Sequence, residues 1–239
     1  MKKLLKWMRF GLAGLAGLLI VAVAGVYLLS SMQLNKSYTV EPEPVAIPTA
    51  AAAIAEGQRQ YTTHGCGDCH SPDGAGALVI DDPLFGRISG SNLTPGAGGI
   101  GQSYSDLDWV RAIRHGVAPD GRPLLVMPSH EYNPLNDDDL GAIMAYLKSM
   151  PPVDHQPPAN TVGLLGRILL VTGLVPVLPA GRINHAAPRP TAVARGATVE
   201  YGYYLSQSCI GCHGEGLSGG AIPGLPPEPP LPRNLTPDA

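Results

Sequence analysis

Residues 66–70 read CGDCH and residues 209–213 read CIGCH, so all four cysteines of this 239-residue chain lie in two copies of one pentapeptide. Cys-x-x-Cys-His is the attachment signature of c-type haem. The two thiols bond to the vinyl groups on one edge of the porphyrin, and the adjacent imidazole reaches the iron from one face. We therefore expect two covalently bound haem c groups, held by the following residues: Cys66, Cys69, His70, Cys209, Cys212 and His213.

Other uses of the cysteines fit the pattern less well. Four cysteines in an exported protein could form two disulfides, and a Cys-x-x-Cys pair can be a redox dithiol or half of a zinc site. None of these uses requires a histidine directly after the second cysteine of both motifs. Two halves of a zinc site would also normally lie closer than the 143 residues that separate Cys66 from Cys209.

The chain begins with a basic head and an uncharged apolar segment. Residues 1–9 carry four cations and no acid, residues 10–32 carry no charge, and the chain beyond the head has 12 basic and 19 acidic residues. About 20 apolar residues span a bilayer as a helix, and flanking cations stay on the cytoplasmic side. We expect residues 1–32 to be a single-pass anchor in the bacterial inner membrane, with the haem domains in the periplasm. The alternative is a cleaved signal peptide, which would have a shorter apolar region that ends in a small-x-small site.

Composition limits the fold and the partners. Charged residues make up only 15% of the chain, and 30 glycines and 25 prolines predict small helices joined by long, bent loops. A formal net charge of −3 does not indicate the basic surface that binding of nucleic acid requires. The sequence therefore predicts an all-α fold, in which the transmembrane helix precedes two small haem domains.

The motifs mark an internal repeat. A tyrosine lies five residues ahead of each motif, and Asn-Leu-Thr-Pro follows at 92–95 and at 234–237. The first unit continues with a Ser105-to-Asp108 capping box that opens a helix, which Gly116 ends. Its last helix opens at Asn136 and ends before two prolines.

The second unit stops soon after the repeated tetrapeptide, so we expect it to be incomplete. The predicted organisation is an anchor (1–32), a Pro-rich linker (33–50), a first haem domain (51–152), an interdomain segment (153–190) and a partial second domain (191–239). The apolar run at 163–178 is interrupted by Arg167 and Pro176, so we expect it on the membrane surface or between the domains rather than across the bilayer.

These features resemble class I cytochrome c, and more closely the membrane-anchored multi-haem cytochrome c subunits of bacterial periplasmic dehydrogenases that act on alcohols or gluconate. The likeness covers residues 51–152 well and 191–239 in part. It implies that His70 and His213 are the proximal ligands and that Met127, before Pro128, is the distal ligand of the first iron. His130 and Met150 are the rival ligands, and His185 is a candidate for the second iron. For the other histidines (His64, His115 and His155) we expect surface or packing roles.

The resemblance implies an electron carrier rather than an enzyme. We expect single-electron transfer in a periplasmic respiratory chain, with a dehydrogenase, a terminal oxidase or both as partners. The alternatives are a subunit of a terminal oxidase, a di-haem peroxidase and a haem-based sensor.

Overall fold

The computed structural model describes residues 2–190, 192–222 and 230–237, with the backbone alone for Lys2. The predicted boundaries at residues 1, 191 and 239 lie outside these residues. Within them the chain is mostly helical, with the helices α1 (Lys2–Leu34), α2 (Ala51–Thr63), α3 (Cys66–His70), α4 (Asp106–His115), α5 (Ser129–Tyr132), α6 (Asp137–Ser149), α7 (Leu164–Thr172), α8 (Val199–Ser206) and α9 (Ile210–His213), and a 3₁₀ turn at Pro179–Arg182. Three short strands are β1 (Leu78–Asp82), β2 (Gly86–Ser89) and β3 (Thr161–Val162).

Helix α1 contains the uncharged apolar segment. It has 33 residues, which is about 50 Å at about 1.5 Å per residue, and apolar side chains along most of its length are exposed. By length and composition it can cross a membrane, a property that signal sequences near an N-terminus share. The helix extends two residues beyond residue 32, where the sequence predicts that the anchor ends.

The core of the first unit forms where α2 crosses α6, with α4 beside them. Gly57 makes the crossing close, because a Cβ there would lie 1.9 Å from the Ala142 carbonyl oxygen. Helix α6 buries four large apolar side chains in this core: Leu140, Ile143, Met144 and Leu147. Met144 is therefore a core residue.

Helix α4 begins and ends at the residues that the sequence predicts. The Asp108 amide donates to Ser105 Oγ at 3.2 Å, and the Ser105 amide donates to Asp108 Oδ2 at 2.9 Å, which completes the capping box. Gly116 ends the helix in the left-handed conformation, with φ of 65°, which glycine adopts without a Cβ penalty. Helix α6 opens in the same way, because the Asn136 side chain accepts from the Asp139 amide.

A three-stranded antiparallel sheet in the order β1-β2-β3 was not predicted by the all-α interpretation. Strands β1 and β2 form a hairpin, in which Asp81 is opposite Arg87. The third strand comes from residues 161–162, more than 70 positions later. Asn160 fixes this pairing, since its Oδ1 accepts from the Ser89 amide at 2.6 Å.

Residues 153–190, here called the connecting segment, pack against the first unit and the anchor. Helix α7 contacts the end of α1. Val177 is buried, and its carbonyl accepts from the Val126 amide at 2.8 Å. His185 lies beside His115, with 3.1 Å between their Nδ1 atoms. The apolar run at 163–178 is thus a nine-residue helix followed by an irregular, partly buried stretch.

The second unit contacts the first through α8. Tyr204 donates from its hydroxyl to Asp139 Oδ2 at 2.5 Å. Arg195 Nη2 pairs with Asp139 Oδ1 at 2.8 Å and with Glu56 Oε1 at 3.0 Å. The Asp139 side chain is buried, and Gln60 also donates to it at 2.6 Å. One carboxylate therefore joins α2, α6 and the second unit.

Candidate cofactor site

A cavity lies inside the first unit, between α2, α4 and α6. Its wall is largely apolar, with side chains that include Leu93, Ile100, Trp109, Ile113, Leu124, Leu135, Ile143 and Leu147. Three of the side chains that the sequence predicts to hold haem line the same cavity: Cys66, His70 and Met127. An apolar cavity with a few convergent ligands is the arrangement that a porphyrin requires.

The first motif forms the short helix α3. Gly65 begins it in the left-handed conformation, with φ of 67°, which brings Cys66 onto the cavity wall directly after α2. The four cysteines, all among the described residues, are not in disulfides. Burial raises the pKa of the Cys66 thiol to about 12 and also raises the pKa of Cys69. Burial therefore favours the neutral form of both thiols, whereas a zinc site requires ionised thiolates.

His70 is oriented by a hydrogen bond to the backbone. Its Nδ1 lies 2.8 Å from the Ser91 carbonyl oxygen, so Nδ1 carries the proton and Nε2 keeps its lone pair. A bond of this kind fixes the tautomer and ring orientation of a metal-binding histidine. Burial lowers the pKa of His70, which keeps the ring neutral. The ring is therefore prepared to bind iron through Nε2.

The second motif has the same local geometry. His213 Nδ1 lies 2.8 Å from the Arg233 carbonyl oxygen. The Gly76 amide donates to the His70 carbonyl at 2.8 Å, and the Gly219 amide donates to the His213 carbonyl at 2.9 Å. In both units the bonding glycine lies six residues after the histidine, so the two motif turns are built alike.

The repeated Asn-Leu-Thr-Pro segment explains how the acceptor carbonyls are placed. Asn92 Oδ1 accepts from the Thr94 amide at 2.9 Å and from Thr94 Oγ1 at 2.8 Å. Asn234 accepts from Thr236 in the same two ways, both at 2.8 Å. Ser91 and Arg233, whose carbonyls face the histidines, each come just before the asparagine. The sequence analysis did not assign these acceptors, although the repeat was the signal for them.

Met127 lies on an irregular loop and lines the cavity. Val126, directly before it, has φ of 61°, a strained conformation for a β-branched residue, and the bond to Val177 holds it there. The sequence offers two rival ligands. His130 places its Nε2 3.8 Å from Glu131 Oε1, and Met150 is buried in the core beside Gly74. Neither rival is among the residues that line the cavity.

His64 lines the cavity as well, although the sequence analysis expected a packing or surface role. Its ring meets Tyr132 edge to face, at 6.0 Å between centroids, and the Tyr132 hydroxyl donates to the His64 carbonyl at 3.0 Å. Burial lowers the pKa of His64. Its Nδ1 is buried without a hydrogen-bond partner among the described residues. No local pattern distinguishes this histidine in the sequence.

The second motif lies on the surface of the first unit. A Cβ on Gly211 would lie 2.3 Å from Glu131 Oε1, so the motif helix touches α5. The two units differ in coverage, because Leu93 is buried whereas its counterpart Leu235 is exposed. His185, a candidate ligand for the second motif, contacts Tyr38 in the linker and His115 in the first unit.

Comparison with known proteins gives consistent matches. The sequence model of the family described as Cytochrome c matches residues 54–151. The chain is 34% identical over 162 residues to a subunit of nicotinate dehydrogenase from Pseudomonas putida, covering 65% of this chain and 13% of that protein. It is 32% identical over 145 residues to the fructose dehydrogenase cytochrome subunit of Gluconobacter japonicus, covering 57% and 29%.

A third relative is a diheme cytochrome c-type protein of Cereibacter sphaeroides. The identity is 31% over 156 residues, covering 60% of this chain and 49% of the relative. The chain thus spans less than half the length of each of these three relatives.

Proposed function

We propose that this protein carries haem c and passes single electrons as the cytochrome subunit of a dehydrogenase, because the sequence model of the Cytochrome c family matches residues 54–151. One observation carries the proposal: the thiol of Cys66, the ring of His70 and the thioether of Met127 line one apolar cavity. The relatives that are named as cytochrome subunits of dehydrogenases support a carrier beside a catalytic partner.

The residues divide the work of holding the group. Cys66 and Cys69 supply the thioether links, His70 is the proximal ligand and Met127 is the distal one. When bound, haem supplies an iron that cycles between two oxidation states, at a potential that His/Met ligation raises. The apolar wall excludes water, and the Ser91 carbonyl keeps the His70 ring in one orientation.

The names of the relatives support a dehydrogenase partner. Besides the fructose enzyme, matches include the gluconate 2-dehydrogenase cytochrome c subunit of Pantoea cypripedii, 38% identical over 101 residues. The chain beyond its basic head has 12 basic and 19 acidic residues. We propose a partner with a basic docking face, whose association slows as salt is added. Copurification separates a dehydrogenase from a terminal oxidase as the partner.

We propose that α1 anchors the protein in the bacterial inner membrane, with its basic end in the cytoplasm and residues 51–239 in the periplasm. The length of the apolar helix and its flanking cations support this orientation. The second motif, in the partial unit at 191–239, is proposed to hold a second haem through Cys209, Cys212 and His213.

The ligand assignment is tested by a matched pair of substitutions in protein matured with haem. Met127→Leu removes the proposed distal ligand, whereas Met150→Leu makes the same chemical change in the core. We expect only Met127→Leu to abolish the absorption band of methionine-ligated ferric haem and to lower the reduction potential. Loss of that band in Met150→Leu, with Met127→Leu unaffected, would contradict the assignment.

The haem count is tested by a pyridine haemochrome assay. We expect two covalent haems per chain, and one in the double variant Cys209→Ala/Cys212→Ala. A value of one in both proteins would show that only the first motif is loaded. A value of zero would overturn the cytochrome interpretation.

A further inference from the structure

Helix α7 is fastened to the end of the anchor by one arginine. Arg167 Nη1 donates to Ser30 Oγ at 2.8 Å and to Ser31 Oγ at 3.1 Å. Its guanidinium carbon lies 4.6 Å from the centroid of the Tyr27 ring, within the range of a cation–π contact. Ser30 is buried by this contact. The position of α7 along α1 is therefore set at residues 27–31.

That position corresponds to the edge of a bilayer. The uncharged segment of α1 starts at Phe10, and about 20 helical residues cross the hydrocarbon core. The core would then end close to residue 30. Tyrosine is enriched at this interface, and Tyr27 lies here. Arginine also extends its charge toward the interface while its stem stays in apolar surroundings. Helix α7 consequently lies at the level of the lipid head groups.

The outer face of α7 is apolar and uncovered. Leu165 and Ile168, one helical turn apart, are 42% and 37% exposed, and Leu174, just after the helix, is 60% exposed. Leu84, at the tip of the β1–β2 hairpin, is 61% exposed and accepts from the Leu165 amide through its carbonyl at 2.8 Å. Arg167 is the only charged residue between positions 163 and 174.

The same helix is also fixed to the haem domain. The Gly163 amide donates to the Phe85 carbonyl at 2.8 Å, and Arg182 Nη2 donates to the Gly173 carbonyl at 3.1 Å. The start of α7 is thus bound to the haem domain and its end to Arg182 of the connecting segment, while its middle is bound to the anchor. The helix cannot reach the bilayer without bringing the domain with it.

We propose that the apolar face of α7, formed by Leu84, Leu165, Ile168 and Leu174, inserts into the head-group region of the leaflet in which α1 ends. The haem domain is then held on the membrane surface in one orientation, rather than moving on a flexible tether. The occupant is lipid, because the face continues from a helix that is itself proposed to span the bilayer. This inference rests on the proposed anchoring by α1.

The test measures the depth of a nitroxide label in the full-length, haem-reduced protein, reconstituted into phosphatidylcholine–phosphatidylglycerol vesicles. Cys209 and Cys212 are replaced by alanine so that no free thiol competes. Single labels are placed at Ile168→Cys, at Val199→Cys as an exposed apolar control on α8, and at Leu18→Cys in the anchor. Collision rates with oxygen, which partitions into lipid, are compared with those of a water-soluble nickel chelate.

We expect the oxygen-to-nickel ratio at position 168 to be several-fold higher than at 199 and lower than at 18. Adding Arg167→Gln should lower the ratio at 168 toward that at 199 and leave position 18 unchanged. A ratio at 168 equal to that at 199, with 18 in lipid, overturns the docking of α7 but not the anchor. A label at 18 that is open to nickel overturns the anchor itself. Protection of 168 from both reagents indicates that protein covers the face, and also overturns the proposal.

Discussion

The close crossing of α2 and α6 in the first unit allows a direct test of how the spacing of these helices stabilises the cavity wall. A Cβ added at Gly57 would lie 1.9 Å from the Ala142 carbonyl oxygen and 2.6 Å from its carbon, whereas real Cβ contacts essentially never fall below 3.0 Å. Gly57→Ala therefore forces α2 and α6 apart by at least about 1 Å at this point. Ile143 and Leu147 of α6 line the cavity, so the wall moves with the helix.

The magnitude follows from two opposing effects. Overpacking of a core costs typically about 1–3 kcal/mol, and alanine recovers about 1 kcal/mol through its better helix propensity. Because the clash is with backbone atoms, the upper end of the overpacking cost applies, about 3 kcal/mol, and we expect the free energy of unfolding to fall by about 2 kcal/mol. For a domain of this size the unfolding temperature should drop by about 8–16 °C.

Gly202→Ala is the matched control, because it makes the same change inside α8, where the new Cβ meets nothing within 4 Å. It should leave the unfolding temperature unchanged or raise it. Both variants are followed by thermal unfolding of the haem-loaded protein, with circular dichroism and haem absorbance. The reasoning fails if Gly57→Ala unfolds at or above the temperature of the parent protein.

Three further changes test other contacts. Asn92→Ala should lower the free energy of unfolding by about 2–4 kcal/mol, because it leaves several buried partners unpaired at about 1–3 kcal/mol each; Asn234→Ala, in the exposed copy, should cost less than about 1 kcal/mol in the same denaturant titration. Burial and a neighbouring histidine lower the pKa of His115 to about 4, so the native state binds fewer protons than the unfolded state. The contribution of His115 to the free energy of unfolding should be complete above about pH 6.5 and decline as the pH falls toward 4. Denaturant titrations between pH 7 and pH 4.5 should therefore show a smaller loss of stability in His115→Gln than in the parent protein. Tyr204→Phe removes a hydrogen bond to a buried carboxylate, worth about 1.5–3 kcal/mol. Hydrogen exchange of the backbone amides in α8 should therefore accelerate about tenfold or more. Tyr203→Phe, which changes an exposed ring, should leave the exchange rate unchanged.

Local signals account for what the sequence predicts well. Ser105 and Asp108 lie three positions apart and bond to each other's backbone amides, so the start of α4 can be read from four residues. Gly116 and Asn136 act in the same local way. The motif residues Cys66 and His70 are likewise adjacent in sequence, so their shared position on one cavity wall needs no knowledge of the tertiary fold.

The remaining features depend on contacts between distant residues. Strand β3 has two residues and pairs with β2 across more than 70 positions. It is therefore too short to show the alternating pattern from which a strand can be predicted. His64 reaches the cavity because α2 ends and turns at Gly65, a direction that only packing decides. The packing of residues 153–190 on the first unit has no local signal in the sequence, because the buried groups, such as Val177, are isolated in an irregular stretch.

The connecting segment also sets an order of assembly. Its hydrogen bonds to the first unit include two that join residues 71 and 80 positions apart. Such contacts form after local ones, because closing a long loop costs entropy before any contact repays it. Chains fold from the N-terminus as they are made. The α3 turn and the Met127 loop therefore exist for a time without the segment that holds them. During that interval Cys66 and Cys69 are available for attachment, and the arrival of the segment then fixes the Met127 loop through the bond between Val126 and Val177.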